Sequence, residues 1–404
     1  MKLKILFLVV AMVLAGGSVR AEDDVRQLAR DNSAFAFDLY HQLDGTPGNL
    51  FFSPYCISTA LAMTQAGARG ETATQMAVVL HFSLPGDRLS AAFAELQGDL
   101  HEAQGDDKVT LAIANSIWPS DRYKFLGSYL HLLKAGYGVE LTPLDYTQTE
   151  AARARINTWV GKQTQDKIKD LIGPGALTPA TKMTLVNAIY FYGKWLSPFE
   201  PKDTAPGPFE VGPGKTEKVP MMRQKADFRY ADLGTLQVLE LPYRGEGLSM
   251  LIVLPESKTG LSAIESGLST ATLGAWQDKL RKTKVIVRVP KFKITWGTKD
   301  LAAALKALGM KDAFGDWADF SGMDGDPHGL VIDGVLHKAF IDVKEEGTEA
   351  AAATGVGMVA AAVELSPVFS ADHPFLFFIR ENKTGTILFL GRVTDPLAGG
   401  DAGE

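Results

Sequence analysis

Apolar residues recur at steps of three and four near the start of the chain. Leu28, Phe35, Leu39 and Leu43, with Asn32 in the same series, predict an amphipathic helix. Ile156, Trp159, Val160, Ile168, Leu171 and Ile172 repeat the habit, and Leu301, Leu305 and Leu308 mark a further helix. From about residue 183 the texture changes to short runs rich in apolar and aromatic residues: Met183 to Phe191, Leu248 to Leu254, Val285 to Val289, Phe375 to Ile379 and Thr386 to Val393. These predict strands. Val285, Val287 and Val289 alternate with Arg288, which falls on the opposite face. Helices early and strands late predict an α+β fold with antiparallel sheets, in contrast to the regular alternation behind a parallel sheet. No linker or internal repeat interrupts the pattern, and only a short Gly-rich end at 398–404 is compositionally biased.

The ends and the charge narrow the setting. Lys2 and Lys4 precede an apolar run from Ile5 to Ala15 and the small-residue context of Val19-Arg20-Ala21, which reads as a secretory signal peptide over 1–21. The run is shorter than the roughly 20 residues a membrane-spanning helix needs. The expected product is therefore one domain over 22–404, exported to the extracellular space or, from a bacterial source, also the periplasm, and not held at a membrane. Formal net charge is −6, and −9 once Lys2, Lys4 and Arg20 are removed, which argues against nucleic acid and anionic membranes as partners. Cys56 is the only cysteine, so the domain must be held by its core, without an internal disulfide.

Motifs of chemistry are tempting but fail in detail. Gly212-Pro213-Gly214-Lys215-Thr216 resembles the end of a phosphate-binding loop, yet Phe209 stands where glycine is required and Pro213 removes a backbone donor. Arg281, Lys282, Lys284, Arg288, Lys291 and Lys293 crowd together but fit the solvated face of a strand. The seven histidines show no metal-ligand spacing, and no Gly-x-Ser-x-Gly elbow surrounds a serine. These readings give no catalytic residue, no metal and no cofactor, and the chain is expected not to be an enzyme. Asn382-Lys383-Thr384 is a glycosylation sequon whose use depends on the host.

One segment carries more weight. Residues 345–363 hold no large side chain except Met358 and the early glutamates. An alanine-rich helix is the simplest reading, but Gly347, Gly355 and Gly357 would each cost it about 1 kcal/mol. In extended form Thr348, Ala350, Ala352 and Thr354 share one face, while Glu349, Ala351 and Ala353 share the other, which is compatible with solvent. Such a strip could slide between two existing strands and bury its first face without overpacking or stranding a charge.

This segment, Glu345-Glu346-Gly347-Thr348-Glu349-Ala350-Ala351-Ala352, resembles the reactive-loop hinge of the serpin family in its inhibitory form. Also similar to serpin patterns are Asn49-Leu50-Phe51-Phe52-Ser53-Pro54, Gly67-Ala68-Arg69-Gly70-Glu71-Thr72, Leu185 to Phe191 with Trp195, Pro290-Lys291-Phe292, Leu308-Gly309-Met310, and His373-Pro374-Phe375 through Gly391-Arg392-Val393. The resemblance spans about 28–396 and implies a single domain of about nine helices and three sheets, with an exposed reactive loop over about 345–368.

The resemblance also implies a mechanism. A serine protease attacks the loop, forms an acyl bond to it, and is trapped as the hinge, including Ala353 and Thr354, inserts into the central sheet. By matching position, Ser53, Cys56, Asn187 and His337 form a shutter beneath that sheet, and Trp195, Lys291 and Glu345 a breach where the loop enters. Cys56 departs from the family's usual serine there. The family's interval from Glu345 places the cut at Ala361-Ala362, whereas counting back from Pro374 points nearer Val363; Met358 is a secondary site. Small aliphatic residues at the cut imply elastase-like or subtilisin-like serine proteases as partners, with papain-like cysteine proteases as an alternative. The protein is expected to be a monomer. A non-inhibitory serpin with a chaperone, carrier or storage role is the competing reading.

Overall fold

The computed structural model describes residues 2–104, 109–139, 141–348 and 366–399. The hinge positions Glu349 to Thr354 and the cut-site candidates Met358, Ala361, Ala362 and Val363 therefore lie outside the described residues. Helix α1 spans Lys2–Leu43 and buries Leu28, Phe35 and Leu39, the stripe its spacing predicts. Helix α2, Pro54–Gln65, starts where the sequence signals it. Ser53 caps it by accepting from the Cys56 amide at 3.2 Å, and Pro54 occupies the first turn, where its missing N–H costs nothing.

The strands in chain order are β1 (Leu50–Phe52), β2 (Val109–Pro119), β3 (Met183–Lys194), β4 (Ala205–Gly212), β5 (Lys215–Asp232), β6 (Leu236–Pro242) and β7 (Leu248–Pro255). They continue as β8 (Arg281–Pro290), β9 (Phe292–Asp300), β10 (Val335–Lys344), β11 (Gly347–Thr348), β12 (Val368–Ser370), β13 (Phe375–Glu381) and β14 (Ile387–Val393). Nine form one sheet in the order β1-β14-β13-β7-β6-β5-β8-β12, with β4 on β5. The other five form the central sheet, β2-β3-β11-β10-β9.

The fold class is α+β as predicted, with two corrections of count. Among the described residues there are ten α-helices where about nine were expected, one of them only four residues long. Among the described residues there are two hydrogen-bonded sheets where about three were expected, because β5 runs unbroken through 18 residues. Met221 to Tyr230 pair with β8, and Arg229 to Asp232 pair with β6, so one strand joins two layers. The second predicted helix is shorter than its apolar spacing implied. It covers Thr149–Gln163, while Ile168, Leu171 and Ile172 are buried in the irregular chain beyond it. Gln165, Asp166 and Asp170 take positive φ of 52°, 59° and 52°, which a helix cannot hold.

The central sheet has a seam. β3 and β10 pair in parallel from Val335↔Leu185 to Phe340↔Tyr190, and above that point β11 separates them. Both faces of the seam are covered. Leu185, Ile189, Phe191, Val335, Ala339 and Ile341 face the main core. On the outer side Val186, Ala188, Tyr190 and Phe340 are packed by Ala152, Ile156 and Val160 of helix Thr149–Gln163.

Candidate functional site

Three parts of the seam carry polar side chains where apolar ones would be expected. Midway down, Asn187 and His337 are direct partners across the two strands, both almost fully buried. The Ser53 amide donates to His337 Nε2 at 3.1 Å, so the ring proton sits on Nδ1 and is donated to Asn187 Oδ1. Asn187 Nδ2 donates to Asn115 Oδ1 at 2.6 Å, and Ser53 Oγ donates to the Leu388 carbonyl at 2.6 Å. Burial lowers His337 to about 3, keeping the ring neutral. β9 bulges at this point, its Thr298 left over between the partners of His337 and Lys338. Gly297 of β9, at φ 127°, lies so close that a Cβ would meet the His337 carbonyl at 2.3 Å.

Ser53, Cys56, Asn187 and His337 are thus brought together, tying α2, β3 and β10 at one place. The Cys56 thiol is fully buried and is pushed up to about 12 by that burial, so it stays protonated. Asn115 of β2 completes the network and was not among the expected residues. Nothing in its sequence context marks it; only the β2–β3 register, Asn115↔Asn187, does.

At the top of the seam, Lys291 Nζ approaches Glu345 at 2.9 Å, and Thr204 Oγ1 donates to the same carboxylate at 2.9 Å. Burial alone would raise the Glu345 pKa, but the Lys291 and Thr204 hydrogen bonds outweigh it and hold the group below its ordinary value. Trp195 reaches the same corner from the end of β3. Its indole N–H donates to the Lys344 carbonyl at 3.0 Å and its amide to the Glu346 carbonyl at 2.9 Å. Its ring stacks on Tyr243 with centroids 4.5 Å apart. Trp195, Lys291 and Glu345 therefore meet as expected, while Thr204 was missed because it arrives from a separate loop.

Between them lies the hinge. β11 is antiparallel to both neighbours, with Gly347 opposite Lys194 and Lys344, and Thr348 opposite Gly193 and Val343. Entry here needs glycine: a Cβ on Gly347 would lie 2.0 Å from the Gly193 carbonyl oxygen. At the other end of the loop, the Ile286 amide donates to the Pro367 carbonyl at 2.9 Å and β12 joins β8.

The seam's outer side is closed by helix Thr149–Gln163, leaving Ala188 at 0% and Tyr190 at 3% exposure. A strand entering below Phe191 would need small side chains on both faces.

The central sheet is split at one end, with β11 in the opening and a buried polar cluster fastening the closed part. The chain belongs to the serpin family: its sequence matches the family described as serpin (serine protease inhibitor) over residues 30–396. It is 42% identical to the leukocyte elastase inhibitor of Sus scrofa over 383 residues, covering 92% of this chain and all of that protein. Among solved structures, a highly specific serpin of the insect Tenebrio molitor superposes with TM-score 0.82 at 34% identity, covering 91% of this chain and 98% of that one. Human thyroxine-binding globulin complexed with thyroxine superposes at 0.84 with 34% identity, covering 92% and 99%.

The expectation that the chain is not an enzyme needs a different footing. Missing nucleophile and metal motifs exclude only those motifs; the finding that replaces this argument is positive, a family described by inhibition of serine proteases. The fold is thus shared with a protein whose structure holds thyroxine.

Proposed function

We propose that this serpin inhibits serine proteases as a consumable substrate. The protease acylates the loop at Ala361, Ala362 or Val363, and the freed hinge side then runs down between β3 and β10. The observation that carries this reading is β11, a strand already begun in antiparallel register between the two strands that would receive the rest. Continued in that register, Ala350 falls opposite Phe191 and Ile341, Ala352 opposite Ile189 and Ala339, and Thr354 opposite Asn187 and His337. Ala351 and Ala353 fall under helix Thr149–Gln163, opposite Tyr190 with Phe340 and Ala188 with Lys338. Alanine at these positions fits a slot closed on both sides, where larger side chains would overpack.

Insertion must part the Asn187–His337 hydrogen bond, so the buried cluster sets a barrier that favours the uninserted state until cleavage releases the loop. Glu345 and Trp195 hold the point from which insertion proceeds.

Targets with small aliphatic specificity, elastase-like or subtilisin-like, follow from the residues at the cut and agree in kind with the elastase inhibitors among the relatives. Papain-like cysteine proteases are the second target class. Export as residues 22–404 after loss of 1–21, to the extracellular space or the periplasm of a bacterial source, and a monomeric state complete the proposal. The test is incubation with elastase followed by denaturing electrophoresis. A covalent band of protease plus inhibitor supports the reading, and cleaved inhibitor beside fully active protease refutes it.

A further inference from the structure

A second feature lies away from the seam, in a pocket of about 350 Å³ where β5, β6 and β13 meet the segment after Trp195. Arg380 lines it. This residue is only 7% exposed, and its Nε is the one buried side-chain nitrogen or oxygen without a hydrogen-bond partner among the described residues. No ion pair or side-chain hydrogen bond reaches the rest of its guanidinium among the described residues either. An unpaired buried cation is costly, and native structures rarely keep one without a counter-group or ordered solvent.

Glu240 and Glu381 act on the Arg380 charge, but neither reaches its guanidinium by a hydrogen bond or ion pair among the described residues. Glu240, also in the lining, is taken by Arg229 at 2.8 Å and by the Ser249 hydroxyl at 2.9 Å. Asp227 and Glu246 stand at the exposed rim, Asp227 opposite Lys284 in the strand register. Lys282, exposed and without an ion partner among the described residues, adds a second positive charge to the lining. Leu196 and Pro242 supply an apolar wall, and Leu196 keeps 44% of its surface exposed.

We propose that this pocket binds a small organic anion, its carboxylate on Arg380 and Lys282 and its apolar body against Leu196 and Pro242. The size lies within the range of small-molecule sites, and a guanidinium fork matches a carboxylate in shape as well as charge.

The test is calorimetric titration of the full chain with decanoate below its micellar range, alongside decanol and inorganic phosphate. Saturable one-site binding of decanoate is expected, with decanol and phosphate each weaker by roughly tenfold or more, since each lacks one half of the recognition. Arg380→Met should weaken decanoate by roughly tenfold or more. Should that variant not fold, Leu196→Glu, which places a carboxylate on the exposed apolar wall, and Lys282→Gln provide the same test from surface positions. Absence of saturable binding overturns the proposal, as does decanoate affinity unchanged in the folded variants. Phosphate binding as tightly as decanoate overturns the organic part of it.

Discussion

Locking the seam separates cleavage of the loop from its insertion. Ala188 and Lys338 are direct partners across β3 and β10, on the side packed by helix Thr149–Gln163. Adjacent strands lie about 4.8 Å apart, inside the roughly 4.4–6.8 Å Cα range of disulfides, so Ala188→Cys with Lys338→Cys should bridge. Cys56 belongs to the core on the opposite side of the sheet and is not a competing partner. Insertion of residues 349–358 would replace the single ladder from Val335↔Leu185 to Phe340↔Tyr190 by two ladders. At about 0.5–1.5 kcal/mol net per added backbone hydrogen bond, that gain is on the order of 5–15 kcal/mol. This is comparable with the net stability of a typical domain, and the bridge withholds it entirely. With elastase, the bridged protein should be cut at the normal site but should release active protease, with no covalent complex on a denaturing gel. Each single cysteine variant, unable to bridge, should still trap. Covalent trapping by the bridged protein at the rate of the single variants would refute insertion between β3 and β10.

Further expectations concern the same seam. Asn187→Ala leaves the His337 Nδ1 proton without its acceptor and should destabilise the uninserted state by about 1–3 kcal/mol, read as a lower thermal midpoint and faster loop insertion or polymer formation on native gels. His337 has a folded pKa depressed to about 3, so the unfolded chain binds more protons below its own value near 6.5. Stability from this group is present above pH 6.5 and lost as pH falls, by about 2 kcal/mol at pH 5; denaturant midpoints should show that slope, and His337→Gln should remove it. Gly347→Ala cannot keep its place beside the Gly193 carbonyl, so the hinge should leave the sheet and a larger share of loops should be cut without trapping. Glu345→Ala should cost about 1–3 kcal/mol by unpairing Lys291 and Thr204, measured as a shift in denaturant midpoint.

Much of this was legible in the sequence because it rests on local pattern. The strands from Met183 onward follow runs of apolar residues, and the start of α2 follows from Ser53-Pro54, where one residue caps and the next needs no donor. What escaped depends on long-range contact. Ile168, Leu171 and Ile172 continue a helical spacing that the left-handed residues Gln165 and Asp166 break, and their burial comes from packing beneath β3. Asn115 joins Asn187 only through strand register, and Thr204 reaches Glu345 from 141 residues away. The helix over the outer face of the seam leaves no trace in the loop's own alternation.

The most direct measurement is the mass of what forms when residues 22–404 meet elastase. A denaturation-resistant species equal to protease plus inhibitor, less a C-terminal peptide beginning at Ala362, Val363 or Glu364, is the predicted result, and the peptide's mass selects the bond. Cleaved inhibitor alone, with protease activity undiminished across elastase, subtilisin and papain, would contradict the account.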